Sequence, residues 1–347
     1  MAGEHMTGGL ANSWASRAAR RPAGALATIA AAVSLAACGQ HADQVGSPNA
    51  AGLIPIRVAG AEGINSATPF FVAQQQGFFK DAGLDVSYVT LSGGAAAMAA
   101  ALKANQLDVA LGAASQWMSD QAQGVVSGKI IGEFTDNNYV ILGGKGITDV
   151  RQLKGKAFAI ASRNSGDHLY SEAVLSHYGI APADVNWLPL GDPATRLGAM
   201  MAGRVDGTEM TLSTLPASAK DRVLVSADDS PVPFVSNAIF ANDTLLTRNK
   251  PALQKFLAAI GKASDWIKAH PDAAIPACQV SGSDVAGCKI AIQVGTTTKN
   301  PYTWSSTTKV NTAAIQSMIP IVAAAAPQAK ALTVGDIVDT TVASGGS

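Results

Sequence analysis

The sequence predicts an α/β fold of two lobes of similar plan, joined by a hinge of two chain crossings. Three observations carry this. Apolar, β-branched runs alternate with helical patterns along residues 54–235, as in mostly parallel sheets with covered faces. A unit of strand, polar loop, helix and small-residue–Asp strand occurs twice, ending once in ALKANQLDVALGA and once in AMMAGRVDGTEM, too widely spaced for a short-period repeat. Residues 236–240 then read as a strand returning to the first lobe, which sets crossings near Tyr139 and Val235.

The first element is the apolar run around Ile56 and Val58, a strand suited to a sheet core. A Gly- and Asn-rich loop, 60–67, follows it. Thr68 is expected as an N-cap with Pro69 at the first helical position, where a missing N–H costs nothing, and Gly77 as a left-handed stop. The loop thus joins the carboxyl end of a strand to the amino end of a helix, where open α/β sheets receive ligands. Residues 86–91 form the next strand, and a helix begins at Ser92 or Gly93 with Met98 and Leu102 on one face. Strands at 106–114 and 129–134 flank a helix from Ser115, and a polar loop, 135–139, ends the first lobe.

In the second lobe, 149–153 is a helical turn, 156–161 a strand, and 162–166 leads into a helix ending at Tyr178 and Gly179. A strand at 185–190 precedes Asp192-Pro193, which starts a helix with Leu197, Met200 and Met201 on its apolar face. Strands at 204–211 and 222–226 complete the lobe. Residues 243–270 read as one helix with Phe256, Ile260, Ala263 and Ile267 along one stripe, and Thr312–Ala325 as another. Lobe 1 is therefore expected at 53–138 and 236–347, and lobe 2 at 139–235.

Residues 1–38 read as an export signal. Arg17, Arg20 and Arg21 precede an apolar stretch, 23–37, that is too short to span a bilayer. Its end, Leu35-Ala36-Ala37-Cys38-Gly39, resembles a bacterial lipobox, which would make Cys38 the lipid-bearing first residue of the mature protein, followed by a polar tether over 39–52. The alternative is an ordinary signal peptide with an incidental cysteine. The lipobox reading places the protein in the periplasm or at the cell surface, anchored to a membrane by lipid. Cys278 and Cys288 bracket a Gly/Ser-rich loop, and in an exported chain such a pair is expected as a disulfide; no histidine lies nearby to complete a zinc site. With 347 residues, 48% of them apolar, the chain can build two lobes. Its 25 basic residues balance 25 acidic ones, which argues against nucleic acid as a partner.

Neither GxSxG nor HExxH occurs, and no phosphate or dinucleotide glycine motif follows a strand. His168 and Glu172 stand four apart with no further ligands clustered near them, so they are read as packing. No metal, cofactor or catalysis is expected. What recurs is Gly/Ser/Asn-rich loops at helix amino ends: Gly63-Ile64-Asn65-Ser66, Ser92-Gly93-Gly94, Ala114-Ser115-Gln116 and Asn164-Ser165-Gly166. Each alone is a helix cap, but spread over two lobes they suit one cleft.

Several short stretches also run in a fixed order. They are Pro69-Phe70-Phe71-Val72-Ala73 with Gly77-Phe78-Phe79, then Ala82-Gly83-Leu84-Asp85-Val86, then Ala101-Leu102 with Asp108-Val109-Ala110. Leu153-Lys154-Gly155-Lys156, Arg196-Leu197 with Gly203-Arg204-Val205-Asp206, and Trp266-Ile267 complete the series. In these the chain resembles the nitrate/sulfonate/taurine-type solute-binding proteins of ABC importers and the related thiamine-precursor proteins. The resemblance implies a type II periplasmic-binding-protein fold that closes over a small polar or anionic organic solute, working as a monomer with an ABC permease/ATPase complex. The Cys278/Cys288 loop is an insertion outside that pattern.

By position, the resemblance puts solute contacts at Glu62, Asn65, Ser66, Gly93, Gly94, Ser115 and Gln116 in lobe 1, and at Ser165, Gly166, Asp192 and Glu209 in lobe 2. Arg163 would serve as a cationic partner for an acidic head group. If Glu62 and Glu209 both face the cleft, they favour a zwitterion or a solute carrying an amine or hydroxyl; if they point away, a bare anion fits. Two other functions stand beside the receptor. One is a thiamine-pyrimidine-type synthase or precursor binder, the synthase needing a Cys-rich motif and a cofactor-binding lysine. The other is a sensory or surface interaction module.

Overall fold

The structure, a computed structural model, describes residues 45–343 apart from 61, 62, 90, 92 and 93. The export signal, Cys38, Glu62 and Gly93 lie outside the described residues. Strand β1 (Ile54–Gly60) leads through a 3-10 turn (Asn65–Ala67) into helix α1 (Thr68–Gln75) and the short α2 (Phe78–Asp81). There follow β2 (Leu84–Val89), α3 (Gly94–Lys103), β3 (Val109–Ala113), α4 (Ala114–Ala122) and β4 (Gly128–Thr135). After the first crossing come β5 (Tyr139–Gly143), β6 (Ala157–Ile160), α5 (Gly166–His177), β7 (Asn186–Pro189), α6 (Pro193–Met201), β8 (Gly207–Thr211) and β9 (Val223–Val225). The chain returns as β10 (Asn237–Asn242), α7 (Asp243–Arg248), α8 (Lys250–Ala269), α9 (Ile275–Gln279), α10 (Val285–Thr297) and α11 (Thr312–Ala325).

Two five-stranded sheets result, ordered β2-β1-β3-β10-β4 and β7-β6-β8-β5-β9. In each, the strand that enters from the other lobe is slotted antiparallel into fourth place: β10 between β3 and β4, β5 between β8 and β9. The strands on the far side pair in parallel, β1 with β2 and β3, β6 with β7 and β8. A strand arriving from the opposite lobe comes in at the carboxyl ends of its neighbours, so it must run against them. The two lobes thus share one plan, as the sequence echo implies.

Local chemistry explains most helix limits, and two expectations need correction. Thr68 is the first residue of α1 rather than its cap; its hydroxyl donates to the Asn65 carbonyl at 2.6 Å, inside the preceding 3-10 turn. Gly77 takes the left-handed φ of +75° that ends α1. The helix expected over 243–270 is split at Asn249, because Pro251 has no N–H to donate to the carbonyl a turn earlier. Asn249 instead caps α8 by accepting from the Ala252 N–H at 3.0 Å. Its amide donates to the Gly46 carbonyl at 2.7 Å, while Val45 is buried, so the first described residues lie on lobe 1.

In lobe 1 the inner faces of β1 and β3 (Ile56, Val58, Val109, Leu111) meet Phe70, Phe71, Phe79 and Phe256. Phe79 and Phe256 stack with centroids 5.0 Å apart. A second cluster is continuous across the lobes, from Met98 and Trp117 through Tyr139, Phe234, Met318 and Val322 to Phe158 and Leu169. The crossings are tied together where they run side by side: the Ser236 N–H donates to the Thr135 carbonyl at 3.1 Å, and the Asn138 N–H to Ser236 Oγ at 3.3 Å.

Candidate functional site

Between the lobes lies a cavity of about 340 Å³. Lobe 1 contributes α4, with Ser115, Gln116 and Ser119, and Gln123 just past its end; lobe 2 contributes the loop after β6, with Ser162, Arg163, Asn164 and Ser165. Leu169 of α5 and Val322 and Ala325 of α11 form the apolar part of the wall. The lobe 2 loop is shaped by its own side chains. Asn164 sits at φ +63°, a left-handed geometry that asparagine tolerates, and its N–H donates to His168 Nδ1 at 3.0 Å. The Ser165 hydroxyl donates to the Ser162 carbonyl at 2.6 Å, and Asp167 accepts from the Ala161 N–H at 2.7 Å. The polar part of the described lining is therefore hydroxyls, amides and one guanidinium, with no carboxylate. Arg163 spends one of its five donors on the Trp187 carbonyl, at 3.3 Å.

Gly166 closes the floor of this contact. A Cβ there would stand 3.1 Å from Tyr139 Oη and 3.2 Å from Ser115 Oγ, so any larger residue would press on both side chains at the place where the lobes meet. Behind it Glu209 and Arg196 form a buried ion pair, with Arg196 Nη2 donating to Glu209 Oε2 at 3.1 Å. Burial pushes the Glu209 carboxyl well above its usual range and Asp167 adds to this, while Arg196 pulls the other way. Burial, with Glu209 and Asp167, likewise raises the Tyr139 phenol. Among the described residues, Glu209 Oε1 and Arg196 Nε have no hydrogen-bond partner.

Of the residues singled out in the sequence, Ser115, Gln116, Arg163, Ser165 and Gly166 come together here. Asn65 and Ser66 do not line this cavity. They border a separate void of about 10 Å³, with Thr135, Asn138, Ser213 and Trp304, the room of one water. Among the described residues, Thr135 Oγ1 and Asn138 Oδ1 have no hydrogen-bond partner. Gly94 opens α3 at φ +61°. Asp192 is committed to the α6 cap: it accepts from the Thr195 N–H at 2.9 Å and from its hydroxyl at 2.7 Å, and these bonds lower its pKa. His168 Nε2 lies 3.2 Å from Glu172, and the ring packs edge-on against Trp187. Cys278 and Cys288 are joined in a disulfide. Among the described residues no three His, Cys, Asp or Glu side chains cluster to hold a metal.

Sequence reasoning missed Tyr139, Arg196 and the wall from α11. Arg196 was findable, since a glutamate in a central strand needs a buried cation. No pattern in 312–325 signals that its far end borders a cleft.

Residues 64–274, more than half of the chain, match the family described as NMT1/THI5 like. The chain belongs to the NMT1/THI5-like family. This NMT1/THI5-like protein is 28% identical over 212 residues to YtlA of Bacillus subtilis, whose designation as a binding protein is provisional. That match covers 58% of this chain and 63% of YtlA. It is 26% identical over 223 residues to the 4-amino-5-hydroxymethyl-2-methylpyrimidine phosphate synthase THI13 of Saccharomyces cerevisiae, covering 58% of this chain and 64% of that one. The chain thus spans somewhat under two thirds of the length of both relatives. Its fold is similar to that of the periplasmic aliphatic sulphonate binding protein SsuA of Escherichia coli, at a TM-score of 0.58 and 19% identity over 69% of this chain and 82% of that chain. The two-lobed architecture is the periplasmic-binding-protein fold.

Proposed function

We propose that this NMT1/THI5-like protein is an exported solute-binding receptor, anchored through a lipid on Cys38, that captures a small organic anion between its lobes and hands it to an ABC importer. The observation that carries this reading is the interlobe cavity, in which Ser115 and Gln116 on one lobe face Arg163 and Ser165 on the other. Its described lining holds a cation and several neutral donors, the set that suits a sulfonate or carboxylate head. Leu169, Val322 and Ala325 suit a short aliphatic tail. Glu209 is withdrawn from the solute by its pairing with Arg196, which removes one objection to an anion. The likeness in fold to an aliphatic sulphonate binder supports the same class. In this reading Asn65 and Ser66, which border the separate small void here, and Gly94 reach the solute from lobe 1 when the lobes close, while Asp192 and Glu209 act from behind, as a helix cap and an ion pair. The protein binds as a monomer and turns nothing over.

The test is a thermal-shift screen of the mature protein against aliphatic sulfonates, taurine, nitrate, amino acids and pyrimidines. A solute at 100 times its Kd stabilises by about 2.7 kcal/mol. An aliphatic sulfonate should raise the melting temperature; a broad panel without any shift would sink the receptor reading. The relation to the yeast synthase favours a second reading, a receptor for a pyrimidine precursor. Synthesis itself is less well supported, because Cys278 and Cys288 are tied up in a disulfide. A shift with hydroxymethylpyrimidine and none with sulfonates would select that second reading.

A further inference from the structure

The segment 278–311 lies outside the shared plan of the two sheets, yet it touches both lobes. Helix α10 packs on the Asn65–Ala67 turn of lobe 1 and on the Leu212–Thr214 turn of lobe 2. Just before it, the Cys278–Cys288 disulfide closes a turn whose Ser281 carbonyl accepts the Gly63 N–H at 2.9 Å. Just after it, the buried Trp304 donates its indole N–H to the Ser66 carbonyl at 2.8 Å and its backbone N–H to the Phe134 carbonyl at 2.9 Å. The Trp304 ring packs directly on α10 at Gly295: a Cβ there would be 2.2 Å from it. Asn300 and Asn311 then donate to Asp136 Oδ2 at 2.9 and 3.1 Å, at the first crossing.

These bonds fall at both ends of the segment Gly63–Ser66, the described part of the loop that follows β1. A stretch of Gly, Asn and Ser has large conformational freedom when unrestrained, and ordering it would subtract from binding. Two fixed backbone partners remove that cost before any solute arrives.

We propose that residues 278–311 form a strap that positions the loop after β1 and ties it to lobe 2 through α10. The disulfide and Trp304 are its two fasteners, and both act as positioning groups that need not touch the solute. The effect on affinity rests on the reading of the cleft as a solute site; the ordering of the loop does not.

Two full-length variants test the strap. Trp304→Phe keeps a ring on Gly295 and removes only the donor to Ser66, and Cys278→Ala/Cys288→Ala removes the cross-link. Hydrogen exchange of the unliganded proteins is read in peptides covering 63–67, with peptides from α8 and β6 as references. Exchange at 63–67 should quicken by about tenfold in each variant while the references stay at wild-type rates, because lost local bonds open locally. Propanesulfonate, titrated by calorimetry, should bind about five- to tenfold more weakly to each. Unchanged exchange at 63–67, or quickening shared equally by α8 and β6, would overturn the strap. If propanesulfonate fails to bind the wild type, the sulfonate reading falls and the exchange data still decide the strap.

Discussion

Gly166 of lobe 2 meets Ser115 of lobe 1 in a close contact, since a Cβ on Gly166 would stand 3.2 Å from Ser115 Oγ and 3.1 Å from Tyr139 Oη, tighter than ordinary van der Waals packing. A side chain at this position therefore acts as a wedge. Gly166→Val should hold the lobes apart and lower stability by about 1–3 kcal/mol, as overpacked contacts do. Small-angle scattering should show a larger radius of gyration than wild type, and denaturant titration a lower midpoint. Wild-type scattering and stability in the variant would mean that the lobes do not close on this contact.

The ion pair behind that contact sets a second expectation. Arg196 and Glu209 are 4% and 1% exposed, so removing Arg196 leaves a buried carboxyl without the cation that offsets its burial. Arg196→Met should cost about 3–5 kcal/mol in urea unfolding. A loss under about 1 kcal/mol, the scale of a surface pair, would show that the pair is solvated.

Glu133 gives the pH dependence. It lies buried in β4, its Oε2 accepts the Asn311 N–H at 2.8 Å, and its Oε1 has no partner among the described residues. Burial first, then Asp136, push its carboxyl well above the usual range. The folded state then binds more protons than the unfolded state as pH rises above the unfolded carboxyl value of about 4.3, so stability falls with rising pH. Glu209 adds in the same direction. Glu133→Gln keeps an acceptor for Asn311 and removes the titration. Melting of the wild type should drop between pH 5 and pH 8, and the variant should drop less. Parallel pH curves for the two proteins would contradict this.

Much of the fold was legible because its signals are local. Pro69, Gly77 and the Asp192-Pro193 pair mark helix limits through backbone chemistry that depends on few neighbours. The repeated small-residue–Asp strand announced a second lobe on the plan of the first. The site was legible in part for the same reason: Ser115, Gln116, Arg163 and Ser165 follow shortly after the carboxyl ends of β3 and β6, where the sheet delivers them to one cleft. Other roles depend on partners distant in sequence. Nothing near Trp304 reveals that its indole reaches Ser66, and nothing near Val322 that it borders the cavity. Helix α10 was overlooked although Asp284 caps it in the ordinary way, because the Gly/Ser-rich turn before it reads as loop. Glu209 is expected among solute contacts from the resemblance by position, and its pairing with Arg196 depends on a partner that position alone does not reveal.

The central claim is that the cavity between Ser115–Gln116 and Arg163–Ser165 receives a small organic anion. Calorimetric titration of propanesulfonate into the wild type and Arg163→Gln tests it most directly. Arg163 is exposed, so the substitution should leave the unliganded melting temperature unchanged. One solute should bind per wild-type chain, and Kd should rise about tenfold or more in the variant, the loss of one charge-assisted hydrogen bond. Equal Kd values for the two proteins would place the solute elsewhere and contradict the account.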